Sequence, residues 1–310
     1  MRRPPSPAFW QHFPVTSITA LLAISVTFVW MTGRDISFLF CTFEIPEGQV
    51  WRLVTCTLPH VNLMHLAFNV YWLWVFGTAI ENEFGSWRTL AILLLFAIAS
   101  SAAQFALDKS GVGLSGVGYG LFGLLWVLSR YDERFFDAVD AQTILLFVFW
   151  YFLSIWLTKA HIMAVGNVAH GAGAIVGLLL GRTLVTQGIG QSRAGLVTAG
   201  FVGLCLFGAL VARPDINFGA DIGLELAQQG YRDLNEGRNE RAVEHLREAV
   251  KHNNHQPTSW FNLGIGYTRL GQDAEALDAF QHAVDLDPKS AEFRKGLDDW
   301  KGYMEQKGRK

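Results

Sequence analysis

The chain is poor in charge over its first 212 residues, poor in cysteine throughout, and has no HExxH pattern. Each shortage excludes something. Residues 1–212 carry 11 Lys/Arg and 10 Asp/Glu, whereas residues 213–310 carry 14 and 17. The first part therefore has a membrane composition and the second a soluble one. Three cysteines, Cys41, Cys56 and Cys205, are an odd number with no CxxC, which suggests neither a disulfide framework nor a thiolate metal site. With a net charge of −2, the chain is expected to have no nucleic-acid partner.

What is present is a series of seven apolar stretches, 15–32, 61–80, 90–107, 114–129, 143–158, 162–185 and 194–212. They approach or reach the roughly 17–25 residues that a membrane-spanning helix needs, the fourth and fifth being short. The first has no small-x-small exit after its apolar run and reads as a retained span, not a cleaved signal peptide. An all-α, polytopic bundle follows. An odd number of spans puts the termini on opposite faces, and the distribution of basic residues sets which is which. With the N-terminus inside, seven arginines (2, 3, 88, 130, 134, 182 and 193) face the cytoplasm against five basic residues outside (Arg34, Arg52, Lys109, Lys159 and Arg213). Ser115 then lies near the outer face, and the C-terminal part is extracytoplasmic.

That C-terminal part repeats with a period of 34: Gly230/Gly264, Gly237/Gly271, Ala242/Ala276, Leu246/Phe280 and Ala249/Ala283. The second copy reads Trp260-x-x-Leu263-Gly264-x-x-Tyr267 and runs on through Gly271, Ala276, Phe280, Ala283 and Pro288. The spacing resembles the tetratricopeptide repeat, two antiparallel helices whose small residues sit where the helices cross. The first copy has Leu226 and Asp233 in place of the Trp and Tyr. Phe293, Leu297, Trp300 and Met304 fall at helical spacing and predict a cap helix over 290–310. Such repeats offer a concave surface to segments of other proteins, so docking is expected; a packed appendage without a partner is the alternative.

Polar side chains inside spans are costly and mark where to look for chemistry. His65 and Asn69, four apart, share a helix face, with His60 five residues earlier. The sixth span carries His170 with Gly173, Gly177 and Gly181, a glycine stripe that lets another backbone approach. The fourth has Gly116, Gly120 and Gly123 beside Ser115 and Tyr119. Two helices with small faces are natural neighbours, and their pairing would bring Ser115 to His170: a hydroxyl too weak alone and an imidazole to take its proton. No carboxylate lies deep in these spans, which leaves a Ser–His dyad and not a triad. Taken alone, Ser115 reads better as a small packing residue than as a nucleophile.

With these residues in hand, 48–181 resembles a rhomboid intramembrane serine protease. The resemblance rests on Trp51-Arg52, on His60, His65 and Asn69, on Glu81 in an ENEFG turn, on Gly113-Leu114-Ser115-Gly116 with Tyr119, and on Ala169-His170-x-x-Gly173-x3-Gly177. It implies a six-helix core over 15–185; the tail, 1–14, the seventh span and linker, 186–216, and the repeats over 217–310 (about 223–256 and 257–290) lie outside that core. It also implies that Ser115 is the nucleophile, His170 the base with Tyr119 stacked on it, and His65, Asn69 and the Ser115 N–H the oxyanion hole, with His60 organising that cavity. Trp51 and Arg52 would shape a loop lying partly in the membrane; Arg52 and Glu81 would be structural. The implied substrates are single-span membrane proteins cut near the outer end of their spans, in a bacterial cytoplasmic membrane and with no cofactor. The aromatics of the fifth span (Phe147, Phe149, Trp150, Tyr151, Phe152, Trp156) resemble the family's lateral gate or simply face lipid. Two other classes compete. A metal site is disfavoured because His60 and His65, five apart, do not share a helix face. A non-catalytic scaffold that binds transmembrane helices and recruits partners through its repeats is the other.

Overall fold

The structure, a computed structural model, describes residues 11–219 and 221–307. Arg2 and Arg3, counted above toward the cytoplasmic face, lie outside the described residues. Among the described residues every regular element is helical. The chain divides into two compact units, 1–219 and 220–310.

The first unit contains α1 (Pro14–Met31), α2 (Leu63–Phe84), α3 (Ser86–Leu107), α4 (Ser115–Tyr131), α5 (Ala141–Lys159), α6 (Asn167–Val185) and α7 (Gly188–Phe207). A π-helical turn, Gly208–Ala212, and one α-turn, Arg213–Ile216, prolong α7. All but α4 are long and apolar enough to cross a membrane, α7 counted with its extension. α4 has 17 residues and is enclosed by its neighbours instead: Leu121, Leu124 and Leu125 are all fully buried.

Three boundaries differ from the expected spans for identifiable reasons. Residues 162–166 precede α6 as loop, following the end of α5 at Lys159 and a left-handed His161 with φ 56°. The turn expected around Glu81 shrinks to Gly85, the C-cap of α2, whose φ of 75° suits glycine. Glu81 itself stays in the last turn of α2, 3% exposed. Its carboxylate accepts from the Val15 and Thr16 backbone N–H groups (both 2.9 Å) and from the Thr16 and Ser86 hydroxyls (both 2.8 Å). A buried carboxylate is tolerable there because donors surround it, and it caps the open N-terminus of α1. The third difference concerns the expected boundary at 217, which falls instead between 219 and 220. Asn217 Nδ2 reaches the carbonyls of Phe105, Ala106 and Asp108, and Phe218 N–H donates to Leu107 O, so 217–218 close the C-terminal end of α3.

The second unit is two helical hairpins and a cap: α8 (Ile222–Asn235), α9 (Asn239–His252), α10 (Pro257–Leu270), α11 (Asp273–Leu286) and α12 (Ala291–Lys307). The 34-residue period appears as one repeated contact. A Cβ on Gly230 would meet Leu246 Cγ at 2.5 Å, and one on Gly264 would meet Phe280 Cδ1 at 2.8 Å. Where the second repeat has Tyr267, the first has Asp233, fully buried, its carboxylate taken by Arg238 Nε (2.7 Å) and His245 Nδ1 (2.8 Å). Phe293, Leu297 and Trp300 of α12 are buried and close the end of the stack.

Candidate active site

The site follows from how α4 and α6 touch. A Cβ on Gly173 would strike the carbonyl oxygen of Gly116, and one on Gly177 that of Gly120; on Gly123 it would lie 2.5 Å from Ala174 O. The contact is backbone on backbone, which lipid-embedded helices achieve only through small residues. Carried in by this approach, His170 of α6 meets Ser115, the first residue of α4: Nε2 to Oγ is 2.8 Å. His170 is 3% exposed. The Tyr119 ring lies over its imidazole at 4.6 Å and 21°, and the Tyr119 hydroxyl donates to Phe147 O of α5 at 3.0 Å. His170 Nδ1 has no hydrogen-bond partner among the described residues. The imidazole is therefore held by stacking and by Ser115, with no carboxylate behind it.

The loop before Ser115 is pinned from two sides. Gly113 has φ 107° and donates its N–H to Cys56 O at 3.2 Å. A side chain there would sit 2.6 Å from His65 Cε1, so both conformation and space require glycine. Leu114 N–H donates to His60 Nε2 at 3.2 Å. His60 Nδ1 lies 2.9 Å from Leu58 O, and a carbonyl only accepts. The geometry thus assigns the proton to Nδ1 and leaves Nε2 an acceptor. His60 N–H donates to Thr27 Oγ1 of α1 at 3.1 Å. Expected by resemblance beside the oxyanion donors, His60 has no hydrogen left to give an oxyanion; it holds the loop.

His65 and Asn69 share one face of α2. The Asn62 side chain caps this helix, its Oδ1 accepting from His65 N–H at 2.8 Å, which fixes where the helix begins and hence where His65 stands. The rings of His60 and His65 meet at 4.8 Å, and His65 Nδ1 has no partner among the described residues. Asn69 Nδ2 donates to His65 O at 3.0 Å, leaving its second amide hydrogen.

Arg52 and Glu81 make their hydrogen bonds to residues other than Ser115 and His170. Arg52, 6% exposed, ties the first loop through Gln49 Oε1 (2.8 Å) and the Ser37 and Phe40 carbonyls (both 2.9 Å). Trp51 is 53% exposed, and Glu81 caps α1 at the other end of α2. The aromatic series of α5 divides: Phe147 is buried and stacked on Phe122 at 4.5 Å, whereas Phe149, Phe152 and Trp156 are exposed. Trp150 meets Phe68 of α2 at 6.4 Å.

Two polar residues of the apolar stretches were not singled out in the sequence. Gln104 of α3 accepts the Ala169 N–H through Oε1 (3.0 Å) and donates to Lys109 O through Nε2 (2.8 Å), joining the start of α6 to the segment before Ser115. Thr27 supports His60. A glutamine within a spanning stretch is itself the signal that would have found the first; a threonine in such a stretch is too common to find the second.

Comparison with known proteins bears on the same residues. A rhomboid domain is recognised over residues 47–187 and a tetratricopeptide repeat over 257–290. A rhomboid protease GlpG of Haemophilus influenzae is 30% identical over 180 residues, 55% of this chain and 91% of that protein. Proteins of the same name from Photorhabdus laumondii and Pectobacterium atrosepticum are 30% and 35% identical, and the match spans 63% and 61% of their length. With nearly the whole Haemophilus protein covered, and a glycine-packed pair of helices bringing Ser115 to His170, the chain belongs to the rhomboid family and carries a tetratricopeptide repeat beyond the membrane domain.

Proposed function

We propose that this chain is an intramembrane serine endopeptidase in which Ser115 is the nucleophile and His170 the general base. The observation that carries this reading is the 2.8 Å contact of Ser115 Oγ with His170 Nε2 under the Tyr119 ring. Ser115 Oγ attacks the scissile carbonyl and its proton passes to Nε2, which later returns it to the leaving amine; water then releases the acyl group. Charge on the carbonyl oxygen is met by the Ser115 N–H, free at the first turn of α4, and by His65 and the second Asn69 amide hydrogen. His60, Gly113 and Gly116 keep the loop and helix start in place, Gly173 keeps the two helices close, and no metal or cofactor takes part.

The substrate class is single-span membrane proteins, cut near the outer end of the span, in a bacterial cytoplasmic membrane. The N-terminus faces the cytoplasm and the repeats the other side. A substrate helix enters between α2 and α5, where Phe68 and Trp150 meet and the outer rings of α5 are exposed. The repeats dock protein segments; a hollow of about 300 Å³ lined by Trp260, Leu263 and Tyr267, with Glu275 and Asp278 at its side, supports this.

A fluorophosphonate that reacts with activated serines tests the dyad. It should label the Ser115 peptide of the wild type with or without chelator, and label neither Ser115→Ala nor His170→Ala. Unlabelled but folded wild type would contradict the dyad, and loss with chelator alone would revive a metal. Protection of the C-terminal unit from added protease in sealed, right-side-out cells would contradict the orientation.

A further inference from the structure

We propose that Cys41 and Cys56 form a reversible dithiol–disulfide pair that braces the first loop where it holds the segment leading to Ser115. The three cysteines and absent CxxC give no hint of a pair, yet Cys41 Sγ lies 3.2 Å from Cys56 Sγ. Both residues are buried, at 4% and 2% exposure, against Ile45, Leu53 and Phe105. A covalent bond needs about 2.0 Å between sulfurs, so about 1 Å of side-chain movement separates the two states.

The backbone of the same two residues carries the loop of the nucleophile. Cys41 O accepts from the Ser110 hydroxyl at 2.6 Å, and Cys56 O accepts from Gly113 N–H at 3.2 Å. A bond between the side chains fixes the spacing of two carbonyls that together hold 110–113. The arrangement with the N-terminus inside puts this end of the bundle away from the cytoplasm, where disulfides persist. The oxidant is a disulfide of the glutathione or protein class. One thiolate attacks it, forming a mixed disulfide and releasing one thiol, and the second cysteine displaces the other. Two electrons and both protons thereby pass to the oxidant as two thiols.

The test is a thiol count on the full-length protein in detergent micelles, with maleimide added after denaturation. Reduced protein should take three labels. Protein equilibrated with excess glutathione disulfide should take one and yield a peptide linking Cys41 to Cys56. Three labels after oxidation, glutathione left on single cysteines, or a link to Cys205 would each overturn the pair. The linked form should also exchange the Gly113 amide hydrogen more slowly than the reduced form, and equal exchange would overturn the brace. Neither readout depends on cleavage, so failure here and failure of the protease reading are distinguishable.

Discussion

The α4–α6 crossing of the membrane bundle and the crossings within the two hairpins of the repeat unit both use glycine, but for different partners. In the bundle, Gly173 and Gly177 face carbonyl oxygens of α4. In the repeats, Gly230 and Gly264 face the side chains of Leu246 and Phe280. The difference follows from solvent. Apolar side chains gain little by leaving lipid for each other, so association within the bundle relies on close backbones and satisfied polar groups, such as the Glu81 cap and the Ser115–His170 contact. In water, burying Leu246 or Phe280 against a neighbouring helix is itself the driving force. Backbone cannot move aside, whereas a ring or an isobutyl group can.

The most severe break of this comparison is Gly177→Leu, which should leave no folded bundle, seen as loss of its thermal transition. Gly264→Ala asks only that Phe280 shift; it should cost the repeat unit about 1–3 kcal/mol and leave the bundle's transition unchanged. Equal effects at the two positions would erase the distinction. Within the folded bundle, His65→Ala and Asn69→Ala should each slow cleavage by about 10²–10³ without lowering the bundle's midpoint, since each removes one donor proposed for the developing oxyanion. Unchanged turnover in both would mean that this face of α2 does not serve the site.

The division of the chain into two units gives a gentler test. A chain ending at Gly219 should cleave a test substrate as fast as the full chain. One ending at Ile216 loses the Asn217 and Phe218 bonds to the end of α3 and should unfold at lower temperature; identical midpoints would show those bonds idle. An effect confined to the repeat unit is expected at Asp233→Ala, which leaves Arg238 and His245 without their buried carboxylate. The repeat unit should lose about 1–3 kcal/mol, read from its melting midpoint, with cleavage untouched.

What the sequence made legible follows the same division. Glycine stripes at helical spacing pointed to the α4–α6 contact, and the 34-residue period to the repeats, because both are local patterns imposed by packing. The family resemblance supplied the roles proposed for Ser115 and His170. Features created by chains meeting from distant positions stayed hidden. His60 reads as one of three similar histidines until Leu58 O and Leu114 N–H fix its tautomer. Glu81, four residues from Gly85, looks like part of a turn until the N-terminus of α1 arrives beside it. Cys41 and Cys56, 15 residues apart with no motif, become a pair only when the first loop folds back.

Cleavage of a single-span substrate with a helix-weakening segment, by wild-type protein and by Ser115→Ala reconstituted side by side in lipid vesicles, tests the central claim most directly. The expected result is a discrete product with the wild type and none with Ser115→Ala, at matched thermal midpoints. Product from folded Ser115→Ala, or none from folded wild type, would contradict the assignment of Ser115 as nucleophile.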